Sequence, residues 1–193
     1  MEEKHPIWGY FVDIIETIVV AAAIFVVVYL FLLQPHQVRG ASMEPNLHDG
    51  QYILTDKITY RFRDPKRGEI IVFKAPVDEN FDYIKRIIGL PGETVQIKEG
   101  KIVIKNSENP GGISLDESYP STQNNNPGSL LENGKELKID EGNFFVLGDN
   151  RNQSFDSREW GLLPRKNIIG KAWFRYWPAA KISFVRAIDA TKK

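Results

Sequence analysis

Residues 14–33 (IIETIVVAAAIFVVVYLFLL) carry 18 apolar side chains in 20 positions, sixteen of them in succession from Ile18. A helix built from that run has no polar face, which a helix lying on a soluble core would need. Twenty helical residues at about 1.5 Å each span about 30 Å, the thickness of a bilayer's hydrocarbon core. The pattern therefore predicts a membrane-crossing helix over 14–33, preceded by a short tail over 1–13. A cleaved leader would begin with basic residues and end its apolar core at small ones. Here Glu2 and Glu3 come first, and ten apolar residues follow Ala21, Ala22 and Ala23, so the segment reads as a retained anchor. Trp8, Tyr10 and Phe11 suit the headgroup layer just before it.

Beyond Pro35 the pattern changes to short apolar runs bounded by Gly, Pro, Asn and Asp, the texture of strands and turns. Strands are expected at 52–55, 69–74, 83–88, 94–98, 101–105, 143–147 and 170–176. Glu99-Gly100 between the alternating runs VQIK and KIVIK predicts a hairpin. The fold class is mainly β: a single N-terminal transmembrane helix followed by an antiparallel sheet domain over 36–186, with a short tail over 187–193. Residues 106–134 are crowded with Asn, Ser, Pro and Gly and hold few aliphatics, so they read as a surface insertion that adds little to the core. As a strand, 170–177 would put Trp173, Arg175 and Trp177 on one face and Ala172, Phe174 and Tyr176 on the other. The plain reading is a strand packed on both sides; the alternative is an aromatic edge resting on a membrane.

The charge total is zero, 25 basic against 25 acidic residues, and conceals an asymmetry. Residues 1–35 hold one lysine and four carboxylates, a charge of −3, which leaves 24 basic and 21 acidic residues, +3, for the rest. That balance gives no reason to expect nucleic acid as a partner. Lys4 on one flank of the helix and Arg39 on the other nearly tie, so charge does not orient the span. The chain has no cysteine, which excludes disulfide scaffolds, thiol nucleophiles and thiolate metal sites. No His, Asp or Glu spacing matches a metal-ligand set, and no cofactor is expected.

The three histidines suit a catalytic triad poorly. His5 precedes the membrane segment, His36 sits beside its end, and His48 lies in a turn-like NLHDG. Three segments look less like filler: GASMEP at 40–45, YIKRIIGLPGE at 83–93 and GDNRNQSFDSREWG at 148–161. In the second, Lys85 would share a strand face with Tyr83 and Ile87 while Arg86 points the other way with Ile84 and Ile88. An alternating strand wants one apolar side, and here each side carries a cation.

Together the three segments resemble the bacterial type I signal peptidases, membrane-anchored Ser/Lys proteases. The family's Ser-Met-x-Pro-Thr is matched by Ser42 to Asn46, with Asn in the last place. Its Lys-Arg-x-x-Gly-x-Pro-Gly-Asp is matched from Lys85 to Glu93, with Glu for Asp. Its Gly-Asp-Asn-Arg-x-x-Ser-x-Asp-Ser-Arg is complete from Gly148 to Arg158.

The resemblance implies that Ser42 is the nucleophile and Lys85 the general base, which must then be a neutral amine. It implies that Ser154 hydrogen-bonds and aims that amine, that Asp156 and Arg158 pair to fix their loop, and that the Ser42 backbone N–H donates to the oxyanion. Some relatives offer a hydroxyl two positions before the serine, where this chain has Gly40. Position matching implies that Met43, Leu47, Tyr83 and Ile84 line the first substrate pocket and Val38 and Ile84 the second. The implied substrates are signal-peptide-bearing preproteins cut after Ala-x-Ala. The implied setting is a cell membrane crossed once, with the catalytic domain on the extracytoplasmic side in contact with lipid and with the translocation machinery. Two rival readings are a self-cleaving Ser/Lys peptidase of the repressor type and a noncatalytic membrane-tethered β adaptor.

Overall fold

The computed structural model describes residues 7–117 and 125–188; His5 and the outer parts of both predicted tails lie outside these. The N-terminal run forms helix α1, Ile7–Val27, continued by a single π-type turn over Val28–Leu32. The helix thus begins seven residues before the predicted span. Its side chains are almost all exposed, and the helix is long and apolar enough to cross a membrane.

No linker follows. Leu33 ends the helical turn and opens strand β1, Leu33–Gln37, so the sheet starts three residues before the expected domain boundary. The strands after it are β2 (Tyr52–Asp56), β3 (Ile70–Ala75), β4 (Asp78–Gly89), β5 (Thr94–Lys98), β6 (Lys101–Lys105), β7 (Ile113–Ser114), β8 (Glu136–Lys138), β9 (Asn143–Leu147), β10 (Leu163–Pro164), β11 (Ile168–Trp177) and β12 (Ser183–Phe184). Two one-turn helices punctuate them, α2 (Thr59–Phe62) and α3 (Ser157–Trp160).

The strands make two sheets, and every pairing is antiparallel. The larger runs β1-β2-β11-β3-β4-β9-β10, with β12 beside the end of β11; the smaller runs β7-β6-β5-β8. The β5–β6 hairpin has the predicted two-residue turn, with Lys98 opposite Lys101. Glu99 and Gly100 both take positive φ, 52° and 71°, the backbone such a turn requires and glycine supplies without strain.

Alternating burial in β5 and β6 sends Val95, Ile97, Ile102 and Ile104 into one core with Ile88, Phe145 and Leu147. Leu115 and Leu131 of the 106–134 segment join that core. The segment is therefore built in rather than laid on the surface: Leu115 N donates to Ile102 O, and Gly134 N donates to Ile97 O at 2.7 Å. Its few aliphatics suffice because the neighbouring β-branched strand faces supply the rest. Residues 118–124 lie outside the described part.

β11 departs from strict alternation through irregularities between Ala172 and Phe174 and between Arg175 and Trp177. Ala172 is buried, but Trp173 and Trp177 are exposed at 38% and 55%, so the strand is not packed on both sides.

Candidate active site

β4 brings two adjacent cations into the domain, and their surroundings differ. Arg86 is 1% exposed, and its guanidinium grips Asp149 through Nε and Nη2 at 2.8 and 2.7 Å while Nη1 donates to Gly68 O. This bidentate pairing answers the charge in place. Lys85 is 5% exposed and faces the other way, with its Nζ 2.8 Å from Ser42 Oγ. Burial is the largest influence on it, and pushes its pKa down from 10.5 to about 8; the Asp156 and Asp149 carboxylates pull upward, and Arg158 adds to the lowering. The Tyr83 ring centre lies 5.6 Å from Nζ and helps to cover it. The doubled cations of the strand thus have separate reasons.

Ser42 opens a tight turn after β1. Glu44 N donates to Ala41 O and Leu47 N to Met43 O, and the Glu44–Pro45 peptide is cis. The third segment fastens this turn. Asn150 N donates to Ser42 O at 3.0 Å, and Asn46 Nδ2 donates to Asp149 Oδ2 at 2.8 Å. Asp149 therefore ties the serine turn to Arg86, one residue from Lys85. Asn46, the residue that departs from the family's threonine, makes that link. Gly148 is where the pieces crowd: a Cβ there would fall 2.5 Å from Ser42 O and 2.3 Å from Ser154 Oγ.

Asp156 and Arg158 do pair, at 2.8 and 2.9 Å, but not across an extended strand. Asp156 is the N-cap of α3, where its side chain accepts from Arg158 N, and it also accepts from Gly148 N at 3.1 Å. Arg158 further donates to Arg151 O and to Asn126 O of the 106–134 segment. From the same segment Glu117 forms a buried ion pair with Arg151. The expected bond from Ser154 to the lysine amine is not formed; Ser154 Oγ is buried without a hydrogen-bond partner among the described residues.

Ser42 and Lys85 sit in a cleft of about 260 Å³. Of the expected pocket residues, Val38, Tyr83 and Ile84 line it. Met43 and Leu47 do not: they are 0% and 2% exposed, in the core cluster that also holds Val38, Ile53 and Val72. The serine turn folds its apolar residues into the core and leaves Ser42 half-buried at the cleft.

Other lining residues carried no sequence signal: His36, Gln37, Arg39, Asp82 and the half-exposed Phe155. His36 Nδ1 shares a hydrogen bond with Thr55 Oγ1 at 2.8 Å, and Nε2 lies 3.4 Å from Asp82 Oδ2, which in turn pairs with Lys74 at 2.8 Å. Burial lowers the His36 pKa against the upward pull of Asp82. These partners lie 19 and 46 positions away along the chain, beyond the reach of any local pattern.

The chain matches the family described as signal peptidase, peptidase S26, over residues 11–177. It is 34% identical to a probable signal peptidase I-2 of Synechocystis sp. over 190 residues, covering 95% of this chain and 81% of that protein. It is 37% identical to a signal peptidase I of Leptolyngbya laminosa over 87% of this chain and 80% of that one. A crystal structure of a signal peptidase I from Enterococcus faecalis is 32% identical, with a TM-score of 0.44 over 56% of this chain and 97% of that chain. The family match and the sequence relatives set aside the adaptor and the repressor-type readings. The chain belongs to the signal peptidase family, peptidase S26, serine endopeptidases that cleave signal peptides from preproteins.

Proposed function

We propose that Ser42 is the nucleophile of this peptidase and Lys85, as a free amine, its general base. The observation that carries the reading is the 2.8 Å approach of Lys85 Nζ to Ser42 Oγ in a buried setting that lowers the lysine pKa to about 8. An ammonium has no lone pair, whereas the amine accepts the serine proton as Oγ attacks the scissile carbonyl. The ammonium so formed returns that proton to the leaving amine as the acyl-enzyme forms. Lys85 then takes a proton from the water that releases the acyl group, and Oγ recovers its own. Asp149 and Arg86 hold the two partners in register through Asn46 and the shared strand, a positioning role. The Ser42 N–H is assigned to the oxyanion. Gly40 has no hydroxyl to add, and its own N–H is taken by Asp49 Oδ1 at 2.7 Å.

The substrate enters as an added strand. β4 pairs with β3 along one edge over 82–86, and β9 takes its other edge only from Arg86 onward. That leaves Asp82 to Lys85 with an edge toward the cleft, which Gln37, Val38 and Arg39 line from the opposite side. A strand between them sends alternate side chains to the same wall. There Val38, Ile53, Val72 and Ile84 leave shallow apolar room, in keeping with small residues such as Ala-x-Ala. Helix α1 anchors the chain in a cell membrane, the sheet domain standing on the extracytoplasmic side where translocated preproteins emerge.

With a purified preprotein in detergent, Ser42→Ala and Lys85→Ala should each slow cleavage by at least about 10³-fold. A wild-type rate in either variant would refute the dyad. Protease added to intact cells should digest the sheet domain; complete protection would overturn the assigned side.

A further inference from the structure

Val38, just past the end of β1, spends both its backbone groups on one side. Its N–H donates to Gln51 O at 2.8 Å and its C=O accepts from Gly50 N at 3.0 Å. In an extended chain successive residues turn these groups to opposite edges, so those of Gln37 and Arg39 face the cleft. The side chains alternate as well. Val38 is 3% exposed and lies on the cleft floor with Ile53, Val72 and Ile84, whereas Gln37 and Arg39 are exposed and stand at the rim.

Three residues that can carry a full charge line the cleft, Lys85, Asp82 and Arg39. Lys85 is uncharged when it serves as base. Asp82 lies between Lys74 at 2.8 Å and His36 at 3.4 Å, so its charge is answered. Arg39 makes no ion pair among the described residues. The acidic residues of the adjoining turn do not close on it: Asp49 accepts from Gly40 N at 2.7 Å, and Glu44 forms no ion pair among the described residues. The rim beside the serine thus presents one permanent cation with no carboxylate against it.

A preprotein strand with its acyl part over the apolar floor and its cut at Ser42 runs in the direction of β1. Residues level with one another on neighbouring strands face the same way, about 4.8 Å apart. The substrate residue level with Val38 therefore turns to the floor, and those on either side of it turn to the rim beside Gln37 and Arg39. Arg39 is the nearer of the two to Ser42. It stands next to the outward-facing residue closest to the cut, which is the second residue before it. That residue is the x of Ala-x-Ala, the one the floor leaves unselected.

We propose that Arg39 is a specificity-determining residue that favours a carboxylate side chain, Asp or Glu, at the second residue before the cut and disfavours Lys or Arg there. The inference rests on the reading of Ser42 as nucleophile with the substrate as an added strand. It gives the middle of the cleavage site a charge preference beside the size preference of the floor.

The full chain in detergent would be given three peptides that differ only at that residue, Ala-Glu-Ala, Ala-Gln-Ala and Ala-Lys-Ala, with the cut mapped by mass and kcat/KM compared in competition. At about 0.1 M salt Glu should exceed Lys about fivefold with Gln between, the scale of an exposed ion pair exchanged for a like-charge contact. At about 1 M salt, where the screening length falls from about 10 to about 3 Å, the ratio should approach one. Arg39→Gln should abolish the preference, Arg39→Glu invert it and Arg39→Lys keep it. Each figure is a ratio within one enzyme, so a uniform loss of activity cancels. Equal rates for the three peptides in the unaltered chain, or a ratio that survives Arg39→Gln, would overturn the inference and leave Ser42 and Lys85 in their roles. A preference for Lys would assign the rim to Asp82 and Asp49 and overturn it as well. Cleavage that persists in Ser42→Ala would remove the reading beneath it, and this inference with it.

Discussion

Lys85 and Arg86 are neighbours on one strand and equally buried, yet the fold treats their charges in opposite ways. Arg86 has a carboxylate gripped at two points and a carbonyl besides. Lys85 has a serine hydroxyl at 2.8 Å, and its nearest influences of opposite sign, Asp156 and Asp149, are occupied by Arg158 and Arg86. The lesson is that burial alone does not make a base. What suits Lys85 to the proposed role of base is burial with the carboxylates already committed to guanidinium groups, which hold their charge at any working pH. The same acidic residues serve as scaffold for one cation and as spectators for the other.

The largest way to break this contrast is on the arginine side. Arg86→Met leaves Asp149 buried with its charge unanswered and should lower unfolding stability by about 3–5 kcal/mol in denaturant titration. A loss under 1 kcal/mol would mean that Asp149 does not need its partner.

Lys85→Met should act with the opposite sign. Folding lowers the Lys85 pKa from 10.5 to about 8, so the fold penalises the ammonium, by about 3 kcal/mol at 1.36 per pH unit. The penalty is full below pH 8, shrinks between 8 and 10.5 and vanishes above. The variant should therefore be inactive but more stable at pH 7, with the gain fading as pH rises toward 10.5. A destabilised variant, or a gain independent of pH, would place the charge somewhere better solvated.

The rate carries the same signature. kcat/KM should climb about tenfold per pH unit below about 8 and level off above it as Lys85 loses its proton. A flat profile from pH 6 to 9 would contradict a lysine base. The smallest expected effect is at Ser154. Its buried hydroxyl, without a hydrogen-bond partner among the described residues, lies beside Gly148, where an added Cβ would meet both it and the Ser42 carbonyl. Ser154→Ala should reduce kcat about tenfold with an unchanged thermal midpoint. Normal turnover would remove it from the machinery.

Much of this was legible in the chain because the decisive signals are local. The apolar run 14–33, the Glu99-Gly100 turn and the three motif segments each declare themselves within a dozen residues. The hidden parts depend on distant partners. Leu33–Gln37 (LQPHQ) has no strand alternation and is a strand because β2 offers its edge. Leu115, Leu131 and Glu117 lie in a polar stretch, and their roles come from Ile102, Leu147 and Arg151. Met43 and Leu47 matched pocket positions by alignment of motif, but the tightness of the serine turn sends them into the core. His36 follows the helix end in sequence and gains its neighbour only because β4 brings Asp82 against it.

The direct passage from helix to β1 makes the enzyme a ruler. With no linker to absorb slack, the distance of Ser42 from the end of the helix is set by β1 and the four residues after it, about 30 Å of chain at most. A substrate strand lying alongside must present its cut at that same distance. On the proposed reading of Ser42 as nucleophile and α1 as anchor, the length of one short strand would set the spacing between the hydrophobic stretch of a signal peptide and its cleavage point. Lengthening β1 by two residues would keep its faces in phase and should shift the preferred cut by the same two.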